Sequence, residues 1–195
     1  MIRFYKRVLG FIVTIVATAV PILVSAQDIP KAEEGKALVI FMRPSNLGGL
    51  IKSVVYDVTT DENKIVGILP MGKKIAYNVD PGEHNFMVVA ENADFMAANL
   101  EAGKTYYSVA KIRYGALTAR FSLFPVRKTK FDGEEFKKWN AKTELVDTRK
   151  KSEAWAKKKS RKVQKKRDKY HAKWMQKSDS DKATYTLNKE DGLAF

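Results

Sequence analysis

Residues 74–91, Lys-Ile-Ala-Tyr-Asn-Val-Asp-Pro-Gly-Glu-His-Asn-Phe-Met-Val-Val-Ala-Glu, show most clearly how this chain is built. Two short apolar segments, 74–79 and 83–91, flank Asp80-Pro81-Gly82. Proline fixes one backbone torsion at the turn, and glycine accepts the positive torsion that a type II turn requires. The stretch therefore predicts a strand, a tight turn and a second strand.

The same pattern extends over residues 35–126, where short apolar runs alternate with turn-forming residues. Asp61-Glu62-Asn63 predicts a hairpin turn, and Pro70-Met71-Gly72 predicts a second turn. No helical periodicity separates the runs, so we predict a mainly β fold: an antiparallel, immunoglobulin-like sandwich of seven to eight strands. The predicted strands cover residues 37–42, 53–59, 65–69, 74–79, 83–91, 95–100, 104–114 and 117–126.

Residues 100–106, Leu-Glu-Ala-Gly-Lys-Thr-Tyr, have the spacing of a tyrosine corner. In that motif the tyrosine hydroxyl bonds to the backbone where a strand begins. An aromatic binding platform built from Tyr106 and Tyr107 is the alternative interpretation. We favour packing in the core and at the corner.

Three motifs together resemble a family of bacterial exported domains, the domain-of-unknown-function family twenty-eight forty-six. They are Gly35-Lys36-Ala37 with a strand ending in Arg43-Pro44-Ser45, the turn Pro81-Gly82-Glu83-His84, and residues 100–107. The turn is also similar to that of the small PEGA-type surface sandwiches. The resemblance covers about residues 35–126. It implies a PEGA-like sandwich and an envelope location, and it implies no known activity and no catalytic residues.

The N-terminus has the features of an export signal. Arg3, Lys6 and Arg7 precede an apolar run over residues 8–24, and Val24-Ser25-Ala26 suits a signal peptidase. We predict cleavage after Ala26 and a periplasmic or envelope location; a retained membrane anchor is the alternative. The predicted organisation is a signal (1–26), a linker (27–34), the sandwich (35–126), a basic helical extension (127–177) and a polar tail (178–195).

The composition offers little for catalysis. The chain has no cysteine, which excludes disulfides, thiol nucleophiles, cysteine zinc sites and a lipoprotein cysteine. It has only two histidines, His84 and His171, and no serine–histidine–acid set can be assembled. Asp57, Asp61 and Glu62 raise the alternative of a calcium or acid/base site, but carboxylates in a hairpin turn are usually solvated. We predict no catalytic, cofactor-binding or metal-binding residues, and no enzyme activity.

The charge is concentrated in the last third of the chain. Residues 27–126 carry 11 basic and 11 acidic side chains, whereas residues 127–195 carry 22 basic and 11 acidic ones. A helix is predicted to begin at Asp132, and a longer one to span about residues 147–177. Residues 149–177 contain 14 basic and 2 acidic side chains. We expect residues 178–195 to fray, apart from a short strand within 183–187.

The longer helix has one interrupted apolar stripe. On a helical wheel, Leu145, Trp155, Val163, Tyr170 and Trp174 fall within an arc of about 100°. Like-charged pairs four residues apart, such as Lys158/Lys162, each cost about 0.2–0.5 kcal/mol. The stripe therefore has to dock on something, or an anion has to neutralise the helix.

Three hypotheses follow for this helix. Its stripe packs on the sandwich or on a neighbouring protein; it lies on an anionic envelope surface such as acidic lipid or lipopolysaccharide; or it binds nucleic acid, which the export signal disfavours. The first two are compatible. The residues predicted to bind an anion or surface are Lys157, Lys158, Lys162, Lys165, Lys166, Trp155 and Trp174.

The function that fits these patterns best is that of an exported, non-enzymatic structural or interaction module with an envelope polyanion or a protein as partner. An enzyme acting on an envelope glycan or peptide is one alternative. A sandwich that binds a small ligand is the other.

Overall fold

The computed structural model describes residues 30–44, 51–114 and 119–194. The predicted signal at 1–26, and residues 45–50 and 115–118, lie outside the described residues.

The described residues form eleven strands and three α-helices. The strands are β1 (Ala37–Arg43), β2 (Ser53–Asp57), β3 (Lys64–Leu69), β4 (Lys73–Val79), β5 (Gly82–Val89), β6 (Ala93–Leu100), β7 (Lys104–Tyr114), β8 (Ala119–Pro125), β9 (Glu144–Leu145), β10 (Thr186–Leu187) and β11 (Leu193–Ala194). The helices are α1 (Glu134–Ala141), α2 (Arg149–Met175) and α3 (Asp179–Thr184). The fold is mainly β with a C-terminal helical extension, as predicted.

The strands form two sheets. Sheet A has the order β11-β7-β1-β4-β9, with β8 also paired to β7, and sheet B has the order β10-β6-β5-β2-β3. Both sheets are mixed, because β1 runs parallel to β7, β9 to β4 and β10 to β6. The predicted antiparallel arrangement is therefore not confirmed. Between β1 and β7, the chain forms four strands of sheet B. The alternation of apolar runs and turns in the sequence therefore does not fix the relative direction of β1 and β7.

The predicted turns divide into two kinds. The turn at Asp61-Glu62-Asn63 joins β2 and β3 as an antiparallel hairpin, as predicted. In contrast, the turns at residues 70–72 and 80–82 carry the chain from one sheet to the other. Gly82 has a φ of 121°, which suits glycine at such a reversal.

Side chains from both sheets meet in one hydrophobic core. Phe41 of sheet A packs edge-on against Phe86 of sheet B, with ring centroids 5.2 Å apart. The outer face of sheet A is covered by α1, where Phe136 lies 5.0 Å from the ring of Tyr107. The outer face of sheet B is covered by α2. The order of layers is therefore α1, sheet A, sheet B, α2, which explains why β1 and β2 are buried at every residue.

The α2 helix docks on sheet B through the predicted stripe. Ser152, Val163 and Trp174 are buried and recur every eleven residues, which is about three helical turns. Trp155 and Tyr170 are half-buried against the same cluster of sheet B side chains. Four of the five residues of the predicted stripe therefore pack on sheet B, as one of the three hypotheses expected. Leu145, the fifth residue of the predicted stripe, belongs instead to β9 and is exposed.

The N-terminus of α2 protects part of the edge of β3. The Ile68 amide donates to Ser152 Oγ over 2.8 Å, and Thr148 Oγ1 donates to the Ile68 carbonyl over 3.0 Å. A Cβ at Gly67 would lie 2.9 Å from Thr148 Oγ1, so glycine permits this close approach. Side chains of the helix thus occupy backbone groups of Ile68 that would otherwise be free to pair with another strand.

The middle of α2 is fixed by Arg167. Its guanidinium donates to the carbonyls of Val58, Thr60 and Asp61 and to Asn63 Oδ1, over 2.7–3.2 Å. These oxygens belong to the β2–β3 turn. The planar guanidinium reaches all of them at once, which a lysine ammonium cannot do.

The chain after Ser178 is ordered, which corrects the expectation that it frays. Arg127 forms a salt bridge of 2.7 Å with the buried Asp191, and the Leu187 side chain is fully buried in the core between the sheets. The short strand expected within residues 183–187 is β10, which adds to β6. The apolar Leu187 and the paired Asp191 order a segment whose composition is largely polar.

We expect Arg167→Met to lower the free energy of unfolding by about 1–3 kcal/mol, because hydrogen bonds from a charged donor to the turn are lost. Chemical denaturation measures this change. Arg161→Met is the matched control: the side chain is exposed on the same helix, and its effect should stay within about 0.5 kcal/mol. Equal effects of the two substitutions would contradict the role assigned to Arg167.

The Tyr56 hydroxyl is buried beneath α2 and has no hydrogen-bond partner among the described residues. A buried hydroxyl without a partner destabilises the folded state. We therefore expect Tyr56→Phe to raise the free energy of unfolding by about 1 kcal/mol. Urea denaturation of the two proteins measures the difference, and a clear loss of stability would disprove this account of the hydroxyl.

Candidate functional site

The outer side of α2 carries a dense group of basic side chains. We call Lys157, Lys158, Arg161, Lys162 and Lys165 the basic face; all five are exposed. They lie within an arc of about 140° on the side of the helix opposite Val163. In the part of the chain that the structure describes, none of the five has a carboxylate within salt-bridge distance.

The structure separates the predicted surface-binding residues into two groups. Lys157, Lys158, Lys162 and Lys165 belong to the basic face. The other three point toward the fold, and for them the prediction requires correction. Trp174 is only 6% exposed, Trp155 is half-buried against sheet B, and the Lys166 ammonium donates to the Ala90 carbonyl.

Burial also disfavours the charged form of Lys166. Removal from water lowers the pKa of Lys166, since the charged form is less well solvated. Its bond to the turn between β5 and β6 makes it part of the docking contact. The tryptophans are unavailable to a surface for the same reason: their rings already fill the space between α2 and sheet B.

Arg161 was not among the predicted binding residues, yet it lies on the basic face, midway along the chain between Lys157 and Lys165. The helical wheel contained this signal, because Arg161 is about 160° away from Val163. In the sequence, Arg161 stands out only because it repels Lys157 and Lys165, each four residues away. Once the opposite side of the helix is anchored, the same repulsion marks a face suited to an anion.

The acidic residues near the β2–β3 turn differ in their burial. Asp61 and Glu62 are exposed in the turn, whereas Asp57 is buried at the end of β2. Among the described residues, no group of three or more histidine, aspartate or glutamate side chains is placed to hold a metal ion.

Asp57 instead belongs to a compact hydrogen-bonded network with His84. Thr59 Oγ1 donates to Asp57 Oδ1 over 2.5 Å, and Tyr77 donates its hydroxyl to Asp57 Oδ2 over 3.2 Å. His84 Nδ1 lies 3.7 Å from Asp57 Oδ2 and 3.2 Å from Thr59 Oγ1. His84 Nε2 donates to the Asp80 carbonyl over 2.8 Å. Both ring nitrogens of His84 are thus engaged within the fold.

The network favours charged forms of both titrating partners. Burial raises the pKa of Asp57, but contacts with His84 and Thr59 outweigh this effect and lower the pKa to about 2. The Asp57 carboxylate raises the pKa of His84, with burial acting in the opposite direction. The arrangement ties sheet A to sheet B, since Tyr77 lies on β4 and Asp57 on β2.

The sign of the pH dependence follows from these shifts. The raised pKa of His84 contributes stability that is fully present below its unfolded value of about 6.5 and is lost as pH rises through the folded pKa. The lowered pKa of Asp57 contributes stability that is present above 3.8 and is lost as pH falls through about 2. The pair therefore stabilises the fold most in mildly acidic solution.

We expect His84→Gln to lower the free energy of unfolding by about 1–3 kcal/mol near pH 5, and by less at alkaline pH. Denaturation curves recorded across this pH range measure the effect. In an Asp57→Asn background, the pH dependence of the His84→Gln effect should be much smaller, because Asp57 is the largest cause of the raised pKa of His84. If the dependence is unchanged in that background, the two residues are not coupled.

No protein-family model matches this chain, and no curated protein matches it. The resemblance to the domain-of-unknown-function family and to PEGA-type sandwiches stays a prediction. Across residues 30–44, 51–114 and 119–194, no helix combines the length and apolar character needed to cross a membrane.

Proposed function

We propose that this protein is an exported, non-enzymatic interaction module of the bacterial envelope, and that α2 binds an anionic envelope surface such as acidic lipid or lipopolysaccharide. The observation that carries the proposal is the basic face: five cationic side chains point into solvent, with no salt bridge within the described residues, on a helix whose other side is anchored. The basic and apolar N-terminal residues support export.

The number of charges is sufficient for useful affinity. A lysine or arginine near an anionic leaflet contributes about 1 kcal/mol, so five contribute about 5 kcal/mol in total. The helix is 27 residues long, which corresponds to about 40 Å. Docking on sheet B fixes the helix backbone that carries the five side chains, so little backbone conformational entropy is lost on binding.

The way in which α2 would contact a membrane follows from the direction in which its two tryptophan side chains point. An amphipathic helix that inserts into a membrane presents its aromatic side chains to the acyl chains. Here Trp155 and Trp174 face sheet B, so the contact proposed for α2 is peripheral and electrostatic. Such binding weakens strongly as salt is added, because the exposed charges are screened.

We also infer that the two sheets are a variant of the immunoglobulin-like or PEGA-like sandwich, with seven or eight strands as its unit and short added edge strands. The tyrosine corner supports this assignment: the Glu101 amide donates to the Tyr106 hydroxyl over 2.9 Å. Gly103 has a φ of 74° in the turn that the corner encloses, where glycine is favoured.

The test is sedimentation of the protein with vesicles of phosphatidylglycerol and phosphatidylcholine, or of phosphatidylcholine alone. We expect binding to the anionic vesicles only, and its loss at high salt. Replacing Lys157, Lys158, Lys162 and Lys165 together by Gln should weaken binding at least about tenfold. Truncation before α2 is unsuitable as a test, because Val163, Trp174 and Leu187 complete the hydrophobic clusters.

The matched control replaces four other exposed lysines by Gln: Lys128, Lys130, Lys138 and Lys142. They lie in or beside α1, on the opposite outer layer, and give the same change in net charge. This variant should bind almost as well as the unmodified protein. If the two variants lose affinity equally, only net charge matters; if neither loses affinity, the basic face is not the binding surface.

A further inference from the structure

The two sheets are joined differently along their two lateral sides. On one side, β8 of sheet A is tied to sheet B by Asn92, whose side-chain amide exchanges two hydrogen bonds of 3.0–3.1 Å with the Phe121 backbone. On the other side, β3 and β4 face each other across an open groove of about 690 Å³. That volume is in the range of sites that hold a ligand.

The groove is closed at both ends by the chain itself. At one end, β9 pairs with Lys73 and Lys74 of β4, and Val146 donates to the Lys74 carbonyl over 3.0 Å. At the other end, the Glu33 amide donates to Asn78 Oδ1 over 3.1 Å. The stretch of β4 between these closures is Ile75, Ala76 and Tyr77.

The backbone of Ala76 points into this opening. The Lys74 carbonyl points away from β1, toward β9. Orientation alternates along an antiparallel strand, so the N–H and C=O of Ala76 also point away from β1. No backbone group among the described residues pairs with them, and Ala76 is exposed. The edge of β4 therefore offers a donor and an acceptor spaced for a strand.

The edge of β3 across the groove is poorly suited to pairing with another strand. The register of β2 and β3 shifts between Val55 and Tyr56, which leaves Val66 as an extra residue opposite. Such a bulge bends a strand and discourages pairing. Further along, Ile68 is already bonded to Thr148 and Ser152. Of the two strands that border the groove, β4 is the one ready to accept a partner.

We propose that this groove binds an extended segment of a partner protein, which adds to β4 as a short strand continuing the line of β9. The fold already completes its sheets in this way, because β9, β10 and β11 are two-residue strands added to β4, β6 and β7. The site is independent of the basic face.

The lining of the groove fits a peptide better than a polyanion. Its inner wall is apolar, with Val66 and Ile75, and the exposed Leu145 lies along it. A guest residue beside Ile75 or Tyr77 directs its side chain into this space, because facing residues share a side of the sheet. The polar lining carries both signs: Glu33, Lys64, Asp147, Arg149 and Glu153. The recognised segment alternates apolar and polar residues and has little net charge.

The experiment starts from short random linear peptides displayed on phage and selected on the full chain at high salt, which suppresses binding to the basic face. Enriched peptides are synthesised, their affinities are measured, and their contacts are mapped by NMR on the backbone amides. We expect alternating sequences and the largest shifts at Ala76 and its neighbours on β4.

Two variants separate strand addition from other modes of binding. Ala76→Pro removes the outward N–H without breaking a bond to β1, and should weaken peptide binding about tenfold or more. Ala76→Thr keeps the N–H at the same exposed position and should bind within about twofold of the unmodified protein. Leu145→Ser tests the apolar contact in case the proline variant is unstable, and should also weaken binding.

The outcomes are distinct. Loss of binding in Ala76→Pro and Leu145→Ser, with retention in Ala76→Thr and unchanged binding of all three variants to anionic vesicles, supports the site. Failure to enrich any peptide overturns the proposal. Equal affinity for the proline and threonine variants, or NMR shifts confined to α2, also overturns it.

Discussion

The packing of α2 on sheet B is the contact on which the rest of the structure depends. Val163 and Trp174 supply the buried apolar surface, and Arg167 fastens the helix to the β2–β3 turn through four hydrogen bonds. A helix with this many like charges is poorly stable alone, since neighbouring lysines repel. Burial of one side offsets the repulsion on the other. The chain can therefore display closely spaced cations in a fixed arrangement.

The C-terminal third is part of the fold as much as the strands that precede it. It contributes a covering helix to each sheet, and β9, β10 and β11 add to sheet edges. Leu187 is buried in the core between the sheets, and Asp191 is held by Arg127.

The molecule has two separate candidate binding surfaces. The basic face of α2 suits an anion, whereas the groove at β4 suits an extended peptide because its polar lining has mixed charge.

Some features could be predicted from the sequence because they depend on residues that are close together in the chain. The β2–β3 hairpin follows from its turn residues, and the tyrosine corner follows from the spacing of Gly103 and Tyr106. The docking stripe of α2 follows from helical periodicity. The parallel pairing of β1 with β7 could not be predicted, because the paired residues are 67 positions apart and no local pattern sets the relative direction of the two strands. Four of the seven predicted binding residues lie on the basic face; Trp155, Lys166 and Trp174 do not.

By itself, the sequence determined the mainly β body, the position of the long basic helix and the absence of thiol chemistry, because composition and short-range periodicity act locally. Only the tertiary structure decided which side of α2 remains exposed. A wheel shows that charged and apolar stripes exist, but it cannot show what covers either. Tertiary structure also decided that Asp57 and His84 meet and that β4 keeps an open edge. Each of these depends on contacts between segments far apart in the chain.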